Sequence, residues 1–308
     1  MNRREFARFA AFGAASVCLP GLSACGGTRS EGTGDPAGGD SPLAPAPGAS
    51  ALVSGSGQRV FVDNGASFEL APLRNGIDVL DAAGDVLARI GDASRVPTRA
   101  VGDVSAPVAA AWDADAQRLL VLERGNERIQ AFGLTGDPLG VVTAVDAASD
   151  LAIDPRNRSL YVAASSTHRI QVFSASGDAV GIVGAFGMDS AGLNGPTSVA
   201  LSPEGMLHVV NSGDACVKVF GADARFVGSY GASGEAEQRL VGPRTIRFDR
   251  AGRAWVADTF AAAVVVFDAT GSFLTRIATR LADGRPAAPV ALCPRPDGTM
   301  YAAVVAAA

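Results

Sequence analysis

Polar side chains recur at one level of the chain, at intervals that the rest of the sequence repeats. They are Asp63 (or Asn64 in a shifted register), Glu123, Asn211 and Asp258. Oxygens of carboxylates and amides are the ligands that Ca²⁺ prefers, so side chains of this kind converging on one point would form a metal site. The alternative is that each side chain caps a turn through its own backbone. We expect turn caps, because Ala164 and Val304 interrupt the set.

Histidine and cysteine offer little further chemistry. Neither His168 nor His208 has a second His or Cys at metal-ligand spacing. We expect His168 in a turn and His208 among packed side chains, because other copies of the repeat carry large residues at that position. Cys216 and Cys293 fall two copies apart, too far for a disulfide, and we expect buried thiols.

The charge pattern argues against nucleic acid as a partner. The chain has a net charge of -5, with 25 arginines and one lysine, Lys218. Residues 1–24 carry a net charge of +2, from three arginines and one glutamate, so the remainder carries -7. Binding to phosphates needs clustered cations, which an acidic chain of this kind does not supply.

The N-terminus has the pattern of an export signal followed by an anchor. Arg3 and Arg4 precede an apolar run of about 14 residues, whereas about 20 are needed to span a bilayer. The twin arginines resemble a twin-arginine translocation signal, and Leu22-Ser23-Ala24-Cys25 resembles a lipobox. We therefore predict a signal peptide over 1–24 and lipidation of Cys25. Residues 25–49, rich in Gly, Pro and Ser, are predicted to be a disordered tether.

The remainder, residues 50–308, repeats itself at intervals of about 41 to 48 residues. Six copies can be recognised, the clearest of them starting at Leu151, Val199 and Ile246. Within each copy, apolar residues alternate in runs of four to six between Asp, Gly, Pro or Asn turns, which predicts about four short antiparallel strands. Radial stacking would bury both faces of each small sheet, so the pattern predicts an all-β propeller. We expect six blades, or five if residues 77–91 and 289–308 share one sheet.

Particular motifs resemble the NHL-repeat family. They are RIQAF (Arg128–Phe132), RIQVF (Arg169–Phe173) and the glycine-rich connector that ends at Pro196. The resemblance covers residues 50–308 and implies a six-bladed propeller that binds proteins or small ligands, with a few enzymes among its relatives. The chain departs from the pattern at Cys216 and Ala263, which replace the motif arginine. The polar set above also resembles the Glu, Asn and Asp set with which propellers of the gluconolactonase type position a water, and oxygens of this kind can hold Ca²⁺.

These observations favour a non-enzymatic module that binds a protein, peptide or glycan in the cell envelope. The alternative is a metal-dependent hydrolase, lactonase or lyase of the gluconolactonase type, for which the polar set is incomplete. We expect no cofactor, with Ca²⁺ as the alternative, and a monomer held to the membrane by its lipid alone. Gly26 lacks the acidic character of an inner-membrane retention residue, so we expect the periplasmic face of the outer membrane.

Overall fold

The computed structural model describes residues 58–62, 64–71, 74–91, 97–281 and 283–306. They form twenty-two strands in six antiparallel sheets, and five of these sheets have four strands each. The first sheet contains β1 (Arg59–Phe61), β2 (Ser67–Ala71), β3 (Gly76–Leu80) and β4 (Val86–Ile90). The second contains β5 (Pro107–Asp113), β6 (Arg118–Glu123), β7 (Arg128–Phe132) and β8 (Pro138–Ala144). No helix among the described residues is long and apolar enough to cross a membrane.

The next three sheets follow the same order of strands. The third contains β9 (Ala148–Ile153), β10 (Leu160–Ala164), β11 (Arg169–Phe173) and β12 (Ala179–Val183). The fourth contains β13 (Pro196–Leu201), β14 (Leu207–Asn211), β15 (Cys216–Phe220) and β16 (Phe226–Tyr230). The fifth contains β17 (Pro243–Phe248), β18 (Ala254–Asp258), β19 (Ala263–Phe267) and β20 (Phe273–Ala278). The sixth has, in the described part of the chain, only β21 (Ala287–Pro294) and β22 (Met300–Ala306).

The sheets form a closed ring of blades, because an apolar cluster fills each interface between neighbouring sheets. The cluster between the first two blades joins Phe68 to Leu119 and Phe132, all three without solvent exposure. Burying a side chain of this size stabilises the fold by about 1.5 to 3 kcal/mol. The smallest cluster closes the ring, where Cys293 and Tyr301 of the sixth sheet pack near Phe61 of the first.

The prediction of an all-β propeller is confirmed. Five blades are complete, as in the alternative count, and the sixth repeat forms a two-stranded sheet of its own between the fifth and first blades. The shared sheet expected for the five-blade version is wrong, since β3 and β4 pair within the first blade and β22 pairs with β21.

Two faces of the propeller differ in construction. The upper face holds the start of each first strand, the loop between the second and third strands, and the connector that arrives from the preceding blade. The lower face holds the remaining turns. Connectors 184–195 and 231–242 start at Gly184 and Gly231, whose φ angles are +73° and +86°. A Cβ at either glycine would lie within 2.5 Å of a leucine side chain that anchors the same connector, Leu193 or Leu240.

Candidate functional site

A central cavity of about 370 Å³ opens between the first strands of the blades, near the upper face. Each first strand from β5 to β21 carries a register shift, after its first residue in β5, β9, β13 and β17 and after Pro289 in β21, so that one residue has no partner on the second strand. Such a bulge re-aims a side chain. All five bulge residues line the cavity: Val108, Ser149, Thr197, Arg244 and Val290. We call the opening that they surround the upper mouth.

Hydroxyl groups join each blade to the next around the upper mouth. Three of them begin the loop after the second strand and donate to the carbonyl of the proline that directly precedes the bulge residue of the next first strand. The bonds are Ser165 Oγ to Pro196 O at 2.6 Å, Ser212 Oγ to Pro243 O at 2.7 Å, and Thr259 Oγ1 to Pro289 O at 2.7 Å. The second blade has Arg124 at this position, directly after its second strand.

Two cations therefore interrupt the polar ring of the upper mouth. Arg124 replaces a bonded hydroxyl, and Arg244 stands at the bulge where the third and fourth blades carry Ser149 and Thr197. Both arginines are exposed, and neither guanidinium forms a hydrogen bond or ion pair with another described residue. The charged residues lining the cavity are three arginines and one aspartate, a net charge of +2 in a protein of net charge -5.

The third arginine is neutralised on the cavity wall. Arg247 contacts Asp150 through two nitrogens, each 2.8 Å from a different carboxylate oxygen. Ser198, which is buried, donates to the same carboxylate and accepts from the backbone N–H of Ile246 at 3.1 Å. This network joins the third, fourth and fifth blades. Because Arg247 and Asp150 neutralise one another, Arg124 and Arg244 are the charges of the cavity lining that remain available to a ligand. Bidentate Arg–carboxylate contacts of this kind also fix geometry.

Three members of the polar set of the sequence analysis, Glu123, Asn211 and Asp258, lie at the ends of the second strands and are fully buried. The alternative member Asn64 is exposed and lies between β1 and β2, not after a second strand as predicted. Asp258 accepts hydrogen bonds from the backbone N–H groups of Val241 and Gly242, the latter at 2.7 Å, and from Arg276 at 3.0 Å. Asn211 accepts from the backbone of Asn194 at 2.6 Å. Each therefore holds the connector that leads into its own blade.

Glu123 holds the connector of the second blade in the same way. Its carboxylate accepts from the backbone of Ser105 at 3.0 Å and from the side chains of Asn126, Arg128 and Gln130 at 2.8 to 3.0 Å. The prediction that these residues cap their own turns is wrong. Their side-chain oxygens accept hydrogen bonds from backbone N–H groups of a different loop, the connector from the preceding blade. Asp63, the fourth candidate, lies outside the described residues.

The gap in the set at Ala164 has a structural reason. Connectors held by Glu123, Asn211 and Asp258 are ten or more residues long, whereas residues 145–147 alone join the second blade to the third. A connector this short has no loop to hold, so alanine suffices. In the part of the chain that the structure describes, no three His, Cys, Asp or Glu side chains are grouped so that they could hold a metal ion.

Both histidines have structural surroundings. His208 is buried between blades, with Nδ1 3.0 Å from the Tyr230 hydroxyl and its ring against Phe248. Burial lowers the pKa of His208 to about 3, so it is neutral at ordinary pH. His168 ends a 3₁₀ turn in the left-handed conformation, and its Nδ1 accepts a hydrogen bond from the backbone of Gly195 at 2.9 Å.

Both cysteines of the repeat region are buried thiols, as predicted, and neither is part of a disulfide among the described residues. Cys216 begins β15, and Cys293 lies on β21, where its sulfur accepts a hydrogen bond from the backbone of Arg59 at 3.1 Å. Burial raises the pKa of the Cys293 thiol to about 12, so it stays protonated and unreactive. The predicted export and lipidation residues, Arg3, Arg4 and Cys25, lie outside the described residues.

Sequence reasoning missed Arg124 and Arg244. A search for residues that recur in every copy cannot find them, because both are departures from the recurring type. The available signal was a charged residue at a position where other copies carry Ser or Thr.

Comparison with known proteins identifies the architecture. No protein-family model and no curated protein sequence matches the chain. Among solved structures it is similar to a streptogramin B lyase, with a TM-score of 0.57 and 11% identity over 82% of this chain and 92% of that one. It is also similar to a catalytically inactive histidine-to-alanine variant of virginiamycin B lyase from Staphylococcus aureus with quinupristin (TM-score 0.58, 13% identity, 80% and 77% covered). The nidogen/laminin complex contains a third similar chain (TM-score 0.58, 13% identity, 72% and 79% covered). The chain shares their fold.

Proposed function

We propose that this protein is a non-enzymatic binding module whose upper mouth receives an acidic segment of a partner protein. The observation that carries the proposal is the pair of exposed guanidinium groups, Arg124 and Arg244, at the edge of a positively lined cavity in an acidic protein. Arginine forms planar, bidentate contacts with carboxylates, and a site of this charge attracts anionic partners from a distance.

Exposed apolar side chains on the upper face favour a protein partner over a small anion. Phe260 of the fifth blade is 84% exposed and Met188 of the connector into the fourth blade is 77% exposed. Val101, Phe186 and Val241, from three connectors, are also exposed. Aromatic residues, methionine and arginine are the side chains enriched at protein interfaces.

Similar folds serve both binding proteins and enzymes, so fold alone does not decide between them. One structural neighbour belongs to a nidogen/laminin complex, and another is a lyase inactivated by replacement of a histidine. In this chain His208 is buried and neutral, and His168 is engaged with a connector; neither lines the cavity. The side chains of the upper mouth are suited to recognition.

We also propose that the module is exported and held at the cell envelope by a lipid on Cys25. The twin arginines at Arg3 and Arg4 and the small residues before Cys25 support this proposal. Replacing Cys25 by Ser should move the protein from the membrane fraction to the soluble fraction. Membrane retention of this variant would contradict the anchor without affecting the proposed role of the upper mouth.

The binding proposal is tested with a fluorescein-labelled peptide of eight glutamates, followed by anisotropy at two salt concentrations. We expect binding that weakens as salt rises, and at least about a tenfold loss of affinity in an Arg124→Gln, Arg244→Gln double variant. The control is Arg225→Gln, which removes one arginine charge from an exposed lower-face residue, and each single variant, Arg124→Gln and Arg244→Gln, is compared with it at equal change of charge. Equal affinity of the double variant and the wild type, or no binding by the wild type, would refute the proposal.

A further inference from the structure

The second and third blades carry the same arginine in different surroundings. In the second blade, Arg128 contacts Glu123 at 3.0 Å and donates to three carbonyls of the connector above it. These acceptors are the backbone oxygens of Arg99 at 2.6 Å, Ala100 at 3.0 Å and Asp103 at 2.7 Å. The guanidinium is thereby covered and satisfied.

In the third blade, Arg169 occupies the position of Arg128, since each begins the third strand opposite the end of the second. Ala164 replaces the glutamate, and the connector is only residues 145–147, so both kinds of acceptor are missing. No described residue accepts a hydrogen bond from the Arg169 guanidinium, and its Nε is buried without a partner. A buried donor left in this state destabilises the fold unless a ligand satisfies it.

The short connector also lowers the rim of the upper face at the third blade. Long connectors cover the tops of the second and fourth blades, through contacts with Arg128 and with Lys218. At this low point, the ring of His168 packs at a tilt against the exposed ring of Phe186, with centroids 4.7 Å apart. Asp146 is the acidic residue of the short connector, and it forms no ion pair with Arg169.

We infer that Arg169 is a recognition point for a carboxylate supplied from outside the chain. The incoming carboxylate accepts hydrogen bonds from the half-buried guanidinium of Arg169. The exposed ring of Phe186, packed against the neighbouring His168, offers an apolar surface on the same face. A partner's acidic side chain and a free small carboxylate share this chemistry. The site lies on the third blade and does not depend on the role of Arg124 and Arg244.

The direct test follows the arginine Nε–H signals of the ¹⁵N-labelled protein during titration with sodium acetate, against sodium chloride at equal ionic strength. The Arg169 signal is identified by its loss in Arg169→Gln. We expect this signal to shift with acetate in a saturable way and not with chloride. An Arg169 signal that moves equally with both salts, or with neither, would overturn the inference.

Ala164→Glu provides an internal carboxylate as in the second blade. It should abolish the acetate response of Arg169 and raise the thermal midpoint, whereas a folded Ala164→Glu protein that still responds would contradict the inference. If this variant does not fold, the acetate titration of the wild type decides. The Arg124→Gln, Arg244→Gln variant should keep the acetate response of Arg169, which separates this site from the upper mouth.

The source of the carboxylate is distinguished with the octaglutamate peptide. At least about a tenfold weaker affinity in Arg169→Gln than in the Arg225→Gln control indicates a carboxylate carried by a partner segment. Unchanged peptide affinity together with an intact acetate response in the wild type indicates a free small carboxylate.

Discussion

Aspartate side chains accept backbone hydrogen bonds on both faces of this propeller, but from different parts of the chain. On the lower face, aspartates bind their own turns: Asp249 accepts from the backbone of Ala251 and Arg253, and Asp268 from that of Thr270 and Ser272. On the upper face, Asp258 reaches sixteen or seventeen residues back to a connector. The lower face therefore consists of similar turns, each capped by its own aspartate. The upper face depends on connectors that differ in length from blade to blade. Variation, and with it recognition, is concentrated on the upper face.

The largest expected effect comes from breaking an upper-face contact. Asp258→Ala leaves two connector N–H groups and the partly buried Arg276 without their acceptor, so we expect a loss of about 3 kcal/mol of unfolding free energy. Urea denaturation monitored by circular dichroism measures this loss. A cost below about 1 kcal/mol would show that the connector is not held by this carboxylate.

We expect acid to lower the free energy of unfolding through His208, which lies at the interface between the fourth and fifth blades and on neither face. The unfolded chain protonates His208 near its ordinary pKa of 6.5, whereas the folded protein does so only near about 3. Unfolding therefore takes up a proton as the pH falls through this window, and His208 should cost about 2 kcal/mol of stability at pH 5 relative to pH 7. His208→Phe should flatten this part of the pH profile. An unchanged slope would mean that other groups dominate acid unfolding.

The smallest expected effect comes from a lower-face turn. Asp268→Ala removes the acceptor of two backbone N–H groups within one partly exposed turn, so we expect a loss of about 1 kcal/mol, as for other side-chain caps. Binding of the octaglutamate peptide should not change. If this variant cost as much as Asp258→Ala in the same urea series, the contrast between the two faces would fail.

The repeat made the propeller predictable, because periodic strands and glycine-rich connectors are local signals. Residues Glu123, Asn211 and Asp258 were also recognisable as a set, and their correct chemistry, an oxygen accepting backbone N–H groups, was one of the interpretations. Their partners were not predictable, because a distant connector and a nearby turn offer identical donors in the sequence. Arg124 and Arg244 escaped for a different reason, because both depart from the hydroxyl residues at the same positions of other copies. Arg244 is in addition a bulge residue, and a bulge changes register without leaving a periodic signal.

The five bulge residues have a practical consequence for protein engineering. Each is an extra residue that opposes no partner on the neighbouring strand, so its side chain can be exchanged without shifting the pairing of the strands around it. Val108, Ser149, Thr197, Arg244 and Val290 thus form five variable positions around one opening. A library randomised at these five codons would sample new ligand preferences while the hydrophobic interfaces between blades stay as they are.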